Sequence, residues 1–146
     1  MFLYDSVSAG PYINQMALAL YTSLNATRVC SSAAALALNF VVSVSTDTPK
    51  SGENVTTIFD FDLADVVPSG TAYYSATLNG LGPFTSQAPL CDETAKSGDP
   101  CPLLAGHHHQ ESTTENTVSG KVITTISWYD QNGAEILCAE IVTKTS

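Results

Sequence analysis

A hydrophobic rhythm of two constrains this chain more than any other feature. Leu36, Leu38, Phe40, Val42 and Val44 alternate with Ala37, Asn39, Val41 and Ser43. Val55, Thr57, Phe59, Phe61 and Leu63 alternate with Asn54, Thr56, Asp60 and Asp62. Ala72, Tyr74, Ala76 and Leu78 make a third run, and Val122, Thr124, Ile126 and Trp128 a fourth. Successive strand side chains point to opposite faces, so each run reads as a half-buried strand. Turn-forming stretches separate the runs: 47–52, 67–70, 79–83 and 130–133. The last contains Asn132-Gly133, a tight-hairpin signal, and a final strand is expected over 134–143. The region 84–106 shows no period and reads as irregular. No useful helical period occurs outside the N-terminal segment and Ala33–Ala35. The pattern predicts an all-β sandwich, one domain at 146 residues.

Charge narrows the function. The formal net charge is −9, from 5 Lys+Arg against 14 Asp+Glu. The basic residues Arg28, Lys50, Lys96, Lys121 and Lys144 stand singly. A nucleic-acid binder needs a cationic footprint, so that class is excluded. Electrostatic docking on an anionic membrane is disfavoured for the same reason. No apolar run approaches the roughly 18–20 residues of a membrane helix.

Cys30, Cys91, Cys101 and Cys138 are an even count in a small acidic chain, which points to disulfides and an oxidising compartment. Three pairings are open on spacing alone. A short bridge between Cys91 and Cys101 would leave Cys30 with Cys138. Two sequons, Asn25-Ala26-Thr27 and Asn54-Val55-Thr56, fit a secretory route with glycosylation at Asn25 and Asn54.

Residues 1–24 form an N-terminal extension. It has no Lys or Arg, carries Asp5, and its apolar stretch Met16–Tyr21 is too short for a signal-peptide core. It does not read as a removed leader. Phe2, Leu3, Tyr4, Tyr12, Ile13, Met16, Leu18, Leu20 and Tyr21 are expected to pack, either on this domain or on a neighbouring chain in an assembly.

A series of landmarks runs in order through 28–143. It comprises Cys30, Thr48-Pro49-Lys50-Ser51-Gly52-Glu53, Val67-Pro68-Ser69-Gly70, Leu90-Cys91, Cys101-Pro102-Leu103 with Gly106, and Trp128-Tyr129-Asp130 through Gly133 to Ile136-Leu137-Cys138. In these landmarks the chain resembles the ML (MD-2-related lipid-recognition) domain family, which includes NPC2-like sterol carriers. The spacing from the Pro-Lys-x-Gly-Glu turn to Leu-Cys is similar to that of the fungal phosphatidylglycerol/phosphatidylinositol transfer proteins. The resemblance implies an immunoglobulin-like sandwich of two antiparallel sheets over 25–146. It implies the pairs Cys30–Cys138 and Cys91–Cys101. It also implies a non-enzymatic carrier, secreted or in the endolysosomal or vacuolar lumen, that holds one sterol or phospholipid between the sheets. The inward faces would supply the lining: Phe40, Phe59, Phe61, Tyr74, Leu78, Phe84, Leu103, Val122, Ile126 and Trp128.

Other chemistry finds less support. His107 and His109 would share a strand face with Glu111, but neighbouring ligands alone rarely close a tetrahedral site. No metal and no cofactor are expected. Proton sensing is the alternative use of these histidines. There is no Gly-x-Ser-x-Gly elbow, P-loop or His-Glu-x-x-His. Asp60 and Asp62 share a face as a glycosidase pair might, but a solvated surface explains them equally. The competing reading is a structural or adhesive extracellular subunit with a filled core, assembling through residues 1–24.

Overall fold

The computed structural model describes residues 26–145. The alternating runs become strands, and the chain reads β1 (Thr27–Val29), β2 (Leu38–Val44), β3 (Asn54–Leu63), β4 (Gly70–Leu78), β5 (Leu81–Pro89), α1 (Leu90–Lys96), β6 (Gly106–Glu115), β7 (Gly120–Asp130) and β8 (Glu135–Thr145). A five-stranded sheet has the order β1-β8-β7-β4-β5, and a three-stranded sheet β2-β3-β6. All pairings are antiparallel. The fold is the expected immunoglobulin-like sandwich, with one short helix crossing between the sheets. The extension 1–24 and the sequon at Asn25 lie outside the described residues. Among the described residues no helix is long and apolar enough to cross a membrane.

The inward rows meet as the alternation requires. Phe59, Phe61 and Leu63 from β3 are buried against Ala72 of β4, Trp128 of β7 and Leu137 and Ala139 of β8. Aromatic rings fill this end of the gap: Phe59 lies 5.4 Å and Phe61 6.2 Å from Trp128, centroid to centroid. Phe40 closes the stack edge-on, 5.1 Å from Phe59. Leu90 and Leu103, both fully buried, seal it from the connecting segment. The two disulfides are Cys30–Cys138 and Cys91–Cys101. The first ties the chain near β1 to β8, and the second closes the loop holding α1.

Three expectations are corrected. Residues 84–106 are irregular only between Ser97 and Ala105: β5 begins at Leu81 and runs to Pro89, α1 follows, and β6 begins at Gly106. The turn that ends β4 is a two-residue hairpin, with Asn79 at φ 52° and Gly80 at φ 81°. This primed turn matches the strand twist and feeds β5 back along β4. Leu36 and Leu38 are exposed, because Asn39 takes φ 56° and the β2–β3 register slips between Leu38 and Val41. That bulge turns the start of β2 out of the inward row.

Candidate functional site

The sandwich is filled at the Trp128 end and open beyond it. Packed sheets stand about 10 Å apart, and side chains must span that gap to close it. On β6 the inward positions past His108 are Gln110, Ser112 and Thr114, opposite Phe59, Thr57 and Val55 of β3. The facing rows of β7 and β8 offer Val122 beside Thr143 and Thr124 beside Ile141. Such small residues do not reach across, and a cavity of about 410 Å³ remains between the sheets. That falls within the roughly 300–1,000 Å³ of small-ligand pockets.

The walls divide into an apolar stretch and a polar end. Val55, Phe59, Val122, Ile126, Trp128 and Ile141 carry the apolar surface, interleaved with hydroxyls such as Thr57, Ser112 and Thr124. Tyr74, Gln110 and, from α1 and its end, Glu93, Lys96 and Ser97 make the polar part. There the Tyr74 hydroxyl donates to Glu93 Oε1 at 2.5 Å, and Lys96 Nζ donates to Glu93 Oε2 at 3.2 Å. Burial, and then the Glu93 carboxylate, push the Tyr74 phenol well above its ordinary range. Gln110 Nε2 donates to Asp99 Oδ2 at 2.7 Å, and His108 Nδ1 meets the same oxygen at 2.7 Å. His108 also stacks on Phe61, so this network joins the α1 loop to the filled core. The indole Nε1 of Trp128 is buried and finds no acceptor among the described residues.

Of the ten residues named from sequence, Phe59, Tyr74, Val122, Ile126 and Trp128 stand on the cavity wall. Phe61 and Leu103 are buried in the filled end, and Phe40 packs behind Phe59. Leu78 ends β4, off the wall. Phe84 is misplaced as a lining residue: it is 63% exposed, because β5 is an edge strand. The sequence reading missed Gln110, Ile141 and Glu93. Alternation of uncharged residues at 108, 110, 112 and 114 with Glu111 and Glu115 was the available signal for β6.

The histidines lie elsewhere. His107 and His109 are on the outer face of β6, across from Asp62 and Asp60 of β3. His107 Nδ1 meets Asp62 Oδ1 at 2.8 Å; His109 meets Asp60 at 2.7 Å through Nδ1 and Glu111 at 2.8 Å through Nε2. The bond to Asp62 holds the His107 imidazole above its ordinary range, and bonds to Glu111 and Asp60 do so for His109. Asp62 is lowered, first by Asn39 and then by His107. Among the described residues no group of three or more His, Cys, Asp or Glu side chains is set to hold a metal ion.

A splayed sandwich with these two disulfides can be compared with known proteins. The family model of the ML domain matches residues 25–145. The chain belongs to the ML domain family. Similar solved structures include a Niemann-Pick type C2 protein from Japanese carpenter ant, at TM-score 0.59 and 16% identity, covering 82% of this chain and 98% of that one. Chicken MD-1 complexed with lipid IVa matches at TM-score 0.57 and 15% identity, covering 81% and 87%. At these identities the likeness is one of fold. Comparison with curated protein sequences finds no match. Within the ML fold, the open end of this sandwich holds the cavity of about 410 Å³ between the sheets.

Proposed function

We propose that this ML domain binds one lipid between its sheets and transfers it, without catalysis. One observation carries the reading: the apolar-walled cavity of about 410 Å³ between the two inward rows. Each CH₂ moved there from water contributes about 0.8 kcal/mol, so roughly eight give about 6 kcal/mol. The complex of MD-1 with lipid IVa supports lipid as the class of guest. The ligand is a sterol or a phospholipid, and the spacing from Lys50 to Cys91 favours the fungal phospholipid-transfer branch.

Two disulfides and the sequons at Asn25 and Asn54 support a secreted or lumenal glycoprotein of the endolysosomal or vacuolar system. Asn54 is exposed at the start of β3, where a glycan has room. A purely architectural subunit needs a filled core, and the cavity weighs against it.

Transfer is tested with fluorescent phospholipid or sterol moving between donor and acceptor vesicles. The rate should rise in proportion to added protein. A rate equal to the protein-free control contradicts transfer, and binding is then judged separately by lipid uptake.

A further inference from the structure

The outer faces of the two sheets differ in kind. That of β3 and β6 carries Asp60, Asp62, His107, His109 and Glu111, as a solvated strand face commonly does. That of β5, β4 and β7 does not. Across these three strands the register aligns Gln87, Tyr73 and Ser127 in one outward row, and Thr85, Ser75 and Thr125 in the next. Neither row holds a charge, in a chain with 14 Asp+Glu and a net charge of −9. Glu140, beside Thr125 on β8, is paired to Arg28 at 2.9 Å. Tyr73 is 43% exposed, and its ring meets that of Tyr129 at 78° with centroids 5.5 Å apart. The β7–β8 turn closes one end: Asp130, Gln131 and Gly133 join the two rings around a shallow groove of about 590 Å³. Asp130 Oδ1 accepts from the backbone N–H groups of Asn132 and Ala134, which fixes the turn, while Oδ2 has no partner among the described residues.

We propose that this groove on the outer face of the five-stranded sheet binds a neutral polysaccharide. A sugar ring has an apolar C–H face and a rim of hydroxyls that both donate and accept. The tyrosine rings match the first; the Gln87 amide, the Ser75 and Thr85 hydroxyls and the Asp130 carboxylate match the second. Charge decides the class of sugar. An acidic glycan would approach a chain of net charge −9 with no cation in the groove to receive it, whereas a neutral one meets no opposing field. The aliphatic side chains that a protein partner would bury are missing from both rows. β5 is an edge strand, so the face runs out to the rim of the sheet and a polymer can pass across it. Tyr73 and Tyr129 alternate with the inward Ala72 and Trp128, so the groove and the cavity lie on opposite sides of one sheet, and neither reading depends on the other.

The full ¹⁵N-labelled chain is titrated with cellohexaose, chitohexaose and laminarihexaose, and with hexagalacturonate as the acidic control. At least one neutral oligomer should move the amide peaks of Tyr73, Gln87 and Tyr129, and the acidic one should leave them in place. Tyr73→Ala/Tyr129→Ala should weaken that binding about tenfold, the scale of two lost ring contacts, with lipid uptake as in the native chain. Tyr73→Phe, which keeps the ring, should bind more tightly than Tyr73→Ala. If the double variant does not fold, the peak map on the native chain and Gln87→Ala, at an exposed position of the edge strand, decide the matter. The proposal is overturned if no neutral oligomer binds, if the acidic one binds equally, if the shifted peaks centre away from Tyr73, or if a folded Tyr73→Ala/Tyr129→Ala binds like the native chain.

Discussion

Tyr74 of β4 and Glu93 of α1 share a hydrogen bond of 2.5 Å, fixing the helix over the polar end of the cavity. Its loss exposes how far the helix depends on one contact. Tyr74→Phe should destabilise the fold by about 1.5–3 kcal/mol, the usual range for a bond to a charged group, read by urea unfolding. The raised phenol makes the contact alkali-sensitive. Its contribution is whole below the ordinary tyrosine range and is lost as pH rises through the folded value. A 295 nm titration should show one tyrosine ionising late, and Glu93→Gln should bring it only part of the way back, since burial is the larger cause.

The outer ladder of β3 and β6 carries the opposite pair of signs. His107 and His109 are raised, so their contribution is full below about 6.5 and falls as pH climbs through their folded values. Asp62 is lowered, so its contribution is full above its ordinary 3.8 and falls as acid drops the pH through the folded value. Stability from this ladder should therefore plateau between about pH 4 and 6.5. Thermal melts of His107→Gln/His109→Gln should lose the decline on the alkaline side. Because both rings face away from the cavity, lipid release between pH 7.5 and 5 should not change in this variant.

Cys30–Cys138 encloses most of the described chain, with a sequence separation of 108. In the chain-entropy model such a loop contributes about 4.7 kcal/mol, and a loop the size of Cys91–Cys101 about 3 kcal/mol. Cys30→Ser/Cys138→Ser should accordingly unfold at lower urea than Cys91→Ser/Cys101→Ser. The latter should show the larger loss of lipid affinity relative to its loss of stability, because that bridge holds α1.

Gly70 opens β4 where its backbone presses on β7. A Cβ there would overlap the Tyr129 carbonyl oxygen and come within 3.0 Å of Leu90 Cδ2. Backbone cannot yield as a side-chain tip does, so Gly70→Ala should cost about 1–3 kcal/mol, measured by urea unfolding. Gly133→Ala meets no neighbour within 4 Å and should cost less, its φ of 83° being the remaining strain.

How much of this the sequence disclosed depended on which faces were buried. β3, β4 and β7 each have one face on the core, and Phe59, Ala72 and Trp128 sit in rhythm because of it. β5 is an edge strand with almost no buried side chain, so Phe84 and Gln87 carry no period that marks a strand. β6 faces a partly empty gap, and Gln110, Ser112 and Thr114 hide a strand that apolar counting overlooks. The same polarity makes the slot: the residues that obscured β6 are those that fail to fill the sandwich. Phe61 and Val122 both occupied inward positions, yet one is core and the other cavity wall. That distinction depends on what stands across the gap, which spacing along a single strand does not encode.

The most direct measurement is lipid stoichiometry in the purified native chain, by native mass spectrometry with analysis of an organic extract. The account predicts one lipid per chain, and predicts that Val122→Trp, which pushes an indole into the cavity, purifies folded with that lipid lost. A native chain that emerges bare and takes up no lipid from vesicles, or a Val122→Trp variant that carries as much as the native protein, would contradict it.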